Sequence, residues 1–159
     1  YVPDIKNAWE SVYYLQNEVA FGQIVRGMHH WGASVVIVMM FLHTLRVFFQ
    51  GAYKKPRELN WIVGVLIFFI MLGLGFTGYL LPWDMKALFA TKVGLEIAES
   101  VPLIGGQIKT LLAGDPNIVG AQTLTRFFAI HVFFLPAALL GLVAVHFLMI
   151  RKQGISGPL

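Results

Sequence analysis

Four of the five histidines in this 159-residue chain lie in long apolar stretches and form two matching pairs. His29 and His43 are 14 residues apart, and His131 and His146 are 15 residues apart. In an α-helix, either interval returns a side chain to one broad face after about four turns and about 21 Å. Ionisable side chains inside a membrane are costly and usually mark function. The spacing therefore indicates two stacked sites, each with two imidazole ligands.

Three apolar runs would carry these histidines across a membrane. They cover about residues 28–50, 60–83 and 126–150, each near the roughly 20 residues that span about 30 Å of hydrocarbon. The chain is 57% hydrophobic and 13% charged, against roughly 25% charged residues in an ordinary soluble domain. The sequence predicts an all-α transmembrane bundle of three spans, forming a single membrane-embedded domain over residues 1–159.

The connectors predict the orientation of the spans. "QGAYKKPRELN" is short and basic, and Arg151 and Lys152 follow the third run. By the positive-inside tendency, this loop and the C-terminus face the cytoplasm, and the N-terminus and the connector 84–125 face outside. The net charge of +4 is explained by this topology and by anionic lipid, so nucleic acid is not an expected partner.

The longer connector has its own helical pattern. "MKALFATKVGLEIAESV" and "IGGQIKTLLAG" place apolar residues at helical spacing and predict amphipathic helices at the membrane surface. Glycines and prolines, among them Pro116, separate these segments. Residues 1–25, rich in aromatic side chains, suggest another interfacial segment.

The first and third spans run in the same direction, so the histidines can pair across them. His29 can face His131 near the outer surface, and His43 can face His146 near the inner surface. A zinc site needs three or four ligands, but the spans hold no Asp or Glu and the chain has no Cys. A haem needs only two axial nitrogens, which makes bis-histidine haem the favoured interpretation.

Glycines and arginines near the histidines fit a haem but also allow a simpler interpretation. Gly64 and Gly78 are 14 residues apart on the middle span and could leave room for a macrocycle, although glycine also serves close helix packing. Arg26 and Arg46 lie three residues from candidate ligands and could pair with propionates, or could simply snorkel. His30 lies out of line with His43, so we expect a polar contact rather than a ligand.

Five segments carry a family resemblance: "RGMHHW", "FLHTLRVF", "GFTGYLLPWD", "TRFFAIHVFFLPAALL" and "HFLMIRKQGISGP". Together they resemble the N-terminal half of cytochrome b from quinol:cytochrome c reductases, over essentially the whole chain. The 15-residue histidine interval and the ending after "GISGPL" resemble the split form, cytochrome b6 and its Gram-positive menaquinol-oxidising relatives. The family has four spans in this subunit. The chain is therefore expected to lack the first span, and its start at Tyr1 rather than Met suggests an N-terminally incomplete sequence.

The resemblance implies a role for each candidate residue. His29 and His131 would ligate an outer, lower-potential b haem, and His43 and His146 an inner, higher-potential one. Basic residues would lie near the haem propionates and glycines would pack on the porphyrins: Arg26, Arg46 and Arg126, and Gly64 and Gly78. One wall of the quinol-oxidation site would consist of Tyr79, Pro82, Phe89, Ala90 and Val93. Arg151 and Lys152 would lie by the inner quinone site and by the extra c-type haem of the split forms, whose presence here stays open.

The implied function is that of a transmembrane di-haem electron carrier of a quinol:cytochrome c or plastocyanin-type oxidoreductase. Electrons would pass from quinol oxidised outside to an inner quinone site, coupled to proton translocation. The expected partners are a C-terminal cytochrome b subunit of the subunit IV type, a Rieske iron–sulfur protein and a c-type cytochrome, in a dimeric complex of a cell or thylakoid-type membrane. No catalytic residue is assigned to this chain alone, because the acidic quinol-site motif belongs to the C-terminal subunit.

Two other functions remain as alternatives. One is a di-haem membrane anchor of a quinone-linked dehydrogenase. The other is a histidine-based proton or ion transporter, which the lack of acidic residues in the spans disfavours.

Overall fold

The computed structural model describes residues 1–115 and 117–156, and every regular element within these ranges is helical. The helices are α1 Ala8–Asn17, α2 Gly22–Phe49, α3 Glu58–Leu80, α4 Met85–Glu99, α5 Gly105–Ala113, α6 Ala121–Ala129 and α7 Leu135–Gln153. A π-helical turn, Ile130–Phe134, lies between α6 and α7. The all-α prediction is confirmed over this part of the chain. Pro116 and the last three residues of the "GISGPL" ending lie outside the described residues.

Three helical segments are long and apolar enough to cross a membrane: Gly22–Phe49, Glu58–Leu80 and Ala121–Gln153. Three spans were predicted, but their ends differ. The first begins at Gly22 rather than near residue 28, and the third begins at Ala121 rather than near residue 126. The helical backbone hydrogen bonds begin in the polar turns that precede these apolar runs. A search for apolar residues alone does not detect such turns. Within the described residues the spans bury few of their own side chains.

The described chain divides into two compact units. The first unit comprises Tyr1–Gly27 and Phe76–Phe133, and the second comprises Met28–Gly75 and the residues from Phe134 onward. The short α4, α5 and α6 lie in the first unit, whereas most of α2, α3 and α7 lie in the second.

The first unit has a small apolar core formed mainly by its short helices. Its buried members are Ala8, Leu80, Leu95, Ala113, Leu124 and Phe127. Phe76 packs edge-on against Phe127, with ring centroids 5.9 Å apart. Gly94 on α4 allows this placement, because a Cβ there would lie 2.4 Å from Cζ of Phe76. The two helices predicted for the longer connector form as α4 and α5, and their place at the membrane surface stays a prediction.

Polar contacts fix the ends of α4 and the turn before it. Oδ1 of Asp84 accepts a hydrogen bond of 2.7 Å from the backbone N–H of Ala87, which caps α4. The hydroxyl of Tyr1 donates to the carbonyl of Leu81 at 2.5 Å. Burial raises the pKa of Tyr1 to about 12, so the phenol keeps the proton that it donates. Lys109 on α5 pairs with Glu99 at the end of α4 at 2.5 Å.

The second unit ties its basic connector to the segment after α7. Gly51, with φ of 60°, ends α2 in a conformation that suits glycine. Arg57 donates to the carbonyls of Gly154 at 3.4 Å and Ile155 at 3.2 Å. The two basic segments therefore lie at the same end of this unit, as the topology prediction requires.

Candidate functional site

Two of the predicted ligands, His43 on α2 and His146 on α7, lie in the second unit, near enough for a charge on one imidazole to affect the other. The ring of His146 lies against Gly64 on α3, where a Cβ would be 3.4 Å from Cε1 and 3.9 Å from Nδ1. The backbone of Asn60, one turn before Gly64, also faces this ring. The structure thus brings together three residues that the sequence selected, one from each span.

The Nδ1 atom of His146 is buried and has no hydrogen-bond partner within the described residues. An unpartnered buried polar atom is costly, so it calls for an explanation. A neutral imidazole nitrogen with a free lone pair is a metal ligand, and His43 provides a second imidazole. Over residues 1–115 and 117–156, no group of three or more His, Asp or Glu side chains could hold a metal ion. The donor set of this cluster is therefore two imidazoles, which fits the axial ligands of a haem.

His131 lies in the first unit, within the π-helical turn. A Cβ at Gly78 would lie 2.6 Å from Cε1 of His131, 3.1 Å from Nε2 and 3.2 Å from Nδ1. Only glycine leaves room for the ring at this position. The Oγ1 atom of Thr77 lies 3.0 Å from Nδ1 of His131.

The sequence prediction did not include Thr77 or Asn60. Thr77 precedes the selected Gly78 in "GFTGYLLPWD", and a hydroxyl in an apolar span was the available signal. Asn60 has a buried Oδ1 atom without a partner in the described part of the chain. An amide one turn before the selected Gly64 was the corresponding signal.

The π-helical turn accounts for the longer histidine interval on the third span. Bonds from residue i to i+5 give such a turn about one residue more than an α-helical turn. The 14-residue interval from His29 to His43 lies within uninterrupted α2, whereas the 15-residue interval from His131 to His146 begins within the π-helical turn. In a straight α-helix, the one additional residue between His131 and His146 would rotate one ring away from the other around the helix axis.

The remaining histidines of the first span lie side by side on α2. His29 and His30 are both exposed. The ring of His30 meets Trp31 edge-on, with centroids 5.5 Å apart. The pairing of His29 with His131 stays a prediction.

The three arginines predicted to meet propionates have neutral acceptors in the structure. Arg26 donates to the side chain of Gln16, and Nε of Arg46 donates to Gln50 at 3.4 Å. Arg126 donates to backbone carbonyls near the end of α5, those of Thr110 at 3.1 Å and Leu111. No acidic side chain of the described residues forms an ion pair with any of them. Each exposed guanidinium is thus available to an anion, for which charge-assisted bonds would be stronger.

The five residues predicted to wall the quinol site all lie in the first unit, and three of them are exposed. Tyr79 is 56% exposed, Phe89 56% and Val93 54%, while Pro82 and Ala90 are partly buried. Phe89 and Val93 lie one turn apart on α4, opposite the face that buries Ala87, Thr91 and Leu95. The basic residues Arg151 and Lys152 are exposed in the last turn of α7, where they complement the helix dipole.

Residues 34–159 match the family described as cytochrome b (N-terminal)/b6/petB. The chain belongs to this family. It is 92% identical, over all 159 residues, to the menaquinol:cytochrome c reductase cytochrome b subunit of Bacillus subtilis (strain 168), and covers 71% of that protein. It is 48% identical to cytochrome b6 of Synechocystis, again over the whole chain and 71% of the relative.

A solved structure agrees with the sequence comparison. A chain of a hyperthermophilic respiratory Complex III superposes with a TM-score of 0.90 and 35% identity, over 99% of this chain. This chain spans 42% of that longer chain. The resemblance inferred from sequence and the cytochrome b fold are therefore confirmed. The Bacillus relative is a subunit of a menaquinol:cytochrome c reductase, which confirms the predicted class of transmembrane electron carrier.

Proposed function

We propose that this cytochrome b chain is the di-haem electron-carrying subunit of a menaquinol:cytochrome c reductase. The observation that carries the proposal is the cluster of His43, Gly64 and His146, in which a buried nitrogen has no hydrogen-bond partner among the described residues. The identity of 92% to a Bacillus menaquinol:cytochrome c reductase subunit supports the choice of reaction. When bound, b-type haem supplies one-electron transfer at a potential tuned by its ligands and their surroundings.

His43 and His146 would hold the iron of the inner haem, with Gly64 leaving space beside the ring of His146. His29 and His131 would hold the outer haem, and the close contact of Gly78 with His131 supports a matching role for this glycine. The arginines would bind the propionates, since no acid in the described part of the chain pairs with Arg26, Arg46 or Arg126. The resemblance to the split forms also implies a place for a third, c-type haem near Arg151 and Lys152.

The exposed face of α4 would form one wall of the quinol-oxidation site. Phe89 and Val93 offer an apolar surface for a quinone ring and isoprenoid tail, and Tyr79 and Pro82 would border it. This wall carries no general base, so the proton acceptors would come from the C-terminal cytochrome b subunit. The Rieske protein would receive one electron and a c-type cytochrome would follow it, in a dimeric complex.

The membrane orientation follows from charge. The connector containing Lys54, Lys55 and Arg57 and the end of α7 lie at one end of the second unit, joined by the Arg57 hydrogen bonds. Both would face the cytoplasm, and α4 and α5 would lie at the outer surface. Quinol oxidation outside and quinone reduction inside would then move protons across the membrane.

The experiment measures haem in the purified complex by pyridine haemochrome assay and by reduced-minus-oxidised spectra after addition of a menaquinol analogue. We expect two b haems per chain, both reducible by quinol. His43→Ala and His146→Ala should each lose one haem. Because both lose the same haem, the haem that remains should have the same midpoint potential in the two variants. His30→Ala is the matched control and should keep both.

Two results would contradict the proposal. One is a wild-type complex without a b-type α band, which would favour the transporter alternative. The other is haem reduction by a dehydrogenase substrate but not by quinol, which would favour the membrane-anchor alternative.

A further inference from the structure

We propose that Thr77 is a positioning residue that fixes the ring of His131 and thereby lowers the reduction potential of the haem that His131 ligates. The inference rests on the proposed function, in which His131 is an axial ligand. It goes further because it assigns a role to a side chain outside the ligand set and identifies a source of the difference between the two haems.

The contact is well placed to orient an imidazole. The side chain of Thr77 is buried, with 5% of its residue surface exposed. Its Oγ1 atom lies 3.0 Å from Nδ1 of His131, within the normal hydrogen-bond range. Water does not compete strongly for a bond in such a low-dielectric setting, so the contact should persist.

The hydrogen bond also selects the tautomer of His131. A helical threonine commonly donates its hydroxyl hydrogen to a backbone carbonyl of the preceding turn, which leaves its oxygen as an acceptor. Nδ1–H of His131 then donates to Thr77, and Nε2 keeps the free lone pair that binds iron. Ligand histidines commonly donate their second ring N–H in this way, and the partner orients the ring and raises its basicity.

The surroundings of the ring restrict any alternative orientation. Gly78, next to Thr77, lies so close that a Cβ there would be 2.6 Å from Cε1 of His131. His131 is the second residue of the π-helical turn Ile130–Phe134. Such a local widening of a helix often occurs at functional sites. Thr77 and Gly78 therefore act together: the glycine provides room for the ring, and the hydroxyl sets its direction.

The second ligand on the same span has a different environment. Within residues 1–115 and 117–156, the buried Nδ1 of His146 has no hydrogen bond and is the nitrogen left for iron, whereas Nδ1 of His131 meets the Thr77 hydroxyl and leaves Nε2 for iron. A more basic imidazole favours ferric over ferrous iron and so lowers the potential. The haem on His131 should therefore be the lower-potential one, in part because of Thr77.

The test compares Thr77→Val, which keeps the shape but removes the hydroxyl, with Thr77→Ser, which keeps the hydroxyl. The matched control is Thr44→Val, since the Thr44 hydroxyl donates to the carbonyl of Met40 in its own span at 2.9 Å. Redox titration and low-temperature EPR of the purified complex give the midpoint potential and g values of each haem. Thr77→Val should raise the midpoint potential of one haem by up to about 59 mV, which corresponds to a tenfold change in the equilibrium constant of one-electron reduction. Its EPR signal should move, and the other haem should not change.

Thr77→Ser should stay near the wild type, and Thr44→Val should shift neither haem. The proposal is overturned if Thr77→Val shifts neither potential or both equally, or if Thr77→Ser shifts as much as Thr77→Val. If Thr77→Val does not assemble, Thr77→Ala must show the same shift confined to one haem. A His131→Ala complex that keeps both haems would refute the ligand assignment itself, whereas loss of one haem there with no shift in Thr77→Val refutes only the role of Thr77.

Discussion

The imidazole of His131 lies so close to Gly78 that a Cβ on this glycine would come within 2.6 Å of its Cε1 atom. The corresponding approach of Gly64 to His146 is looser, with a Cβ at 3.4 Å from Cε1. The 14-residue spacing in the sequence indicates both glycines equally. Only the structure shows that a Cβ fits at Gly64 much better than at Gly78.

Gly78→Ala should therefore damage the proposed haem site at His131 more than Gly64→Ala damages the proposed site at His146. The first substitution forces the His131 ring out of place and should cost about 1–3 kcal/mol of stability through overpacking, whereas the second needs a shift of a few tenths of an ångström at most. Haem content per chain and thermal unfolding of the purified complex measure the difference. Equal losses in the two variants would show that ring contact does not govern the tolerance of these positions.

Gly94→Ala should destabilise the packing of α4 without touching any proposed ligand. A Cβ at this position would lie 2.4 Å from Cζ of Phe76, which packs against Phe127 in the core of the first unit. We expect a loss of roughly 1–3 kcal/mol in unfolding free energy. Gly106→Ala is the control, because a Cβ there meets no atom within 4 Å. An unchanged unfolding temperature in Gly94→Ala would be inconsistent with the observed packing.

Phe89→Ala should weaken quinol binding while leaving both haems in place. The ring is 56% exposed on the proposed wall of the quinol site. Loss of about 1.4 kcal/mol of apolar contact with a quinone would raise KM for quinol roughly tenfold. Leu111→Ala on α5, where the side chain is 70% exposed, serves as a control with the same kind of change outside the wall. If both variants raise KM equally, or neither does, the wall is not on α4.

Arg57→Ala should release the segment that follows α7. Arg57 donates to the carbonyls of Gly154 and Ile155, which follow α7 directly. Trypsin should then cleave after Arg151 or Lys152 several-fold faster in the purified complex, as followed by mass spectrometry. Lys54→Ala removes a similar charge from the same connector without these bonds and should cleave at the wild-type rate, so equal acceleration in both variants would count against the contact.

Much of the molecule could be predicted from sequence because long apolar runs and histidine spacing are strong local signals. The three spans follow from the length of the apolar runs, and α4 and α5 follow from helical periodicity. The placing of His43 opposite His146 follows from the histidine spacing and from two spans that run in the same direction. The predicted starts of the first and third spans were too late, because polar turns such as the one after Gly22 are helical although they lie outside the apolar run.

Other features depend on tertiary packing that a linear pattern does not contain. The π-helical turn at His131 is invisible to periodicity, since residues 130–134 read as ordinary apolar helix. Thr77 becomes significant only when its hydroxyl is seen beside His131. The arginine side chains are long and exposed, so sequence suggested an anionic partner but could not anticipate acceptors such as the backbone near the end of α5 for Arg126.

The most direct test of the central claim is a pair of double variants assayed for b haem per chain. His43→Ala/His146→Ala removes both proposed ligands of one haem and should leave one haem bound, as each single variant does. His43→Ala/His131→Ala removes one ligand from each haem and should leave none. The opposite result, no haem in the first double variant and one haem in the second, would contradict the pairing of His43 with His146.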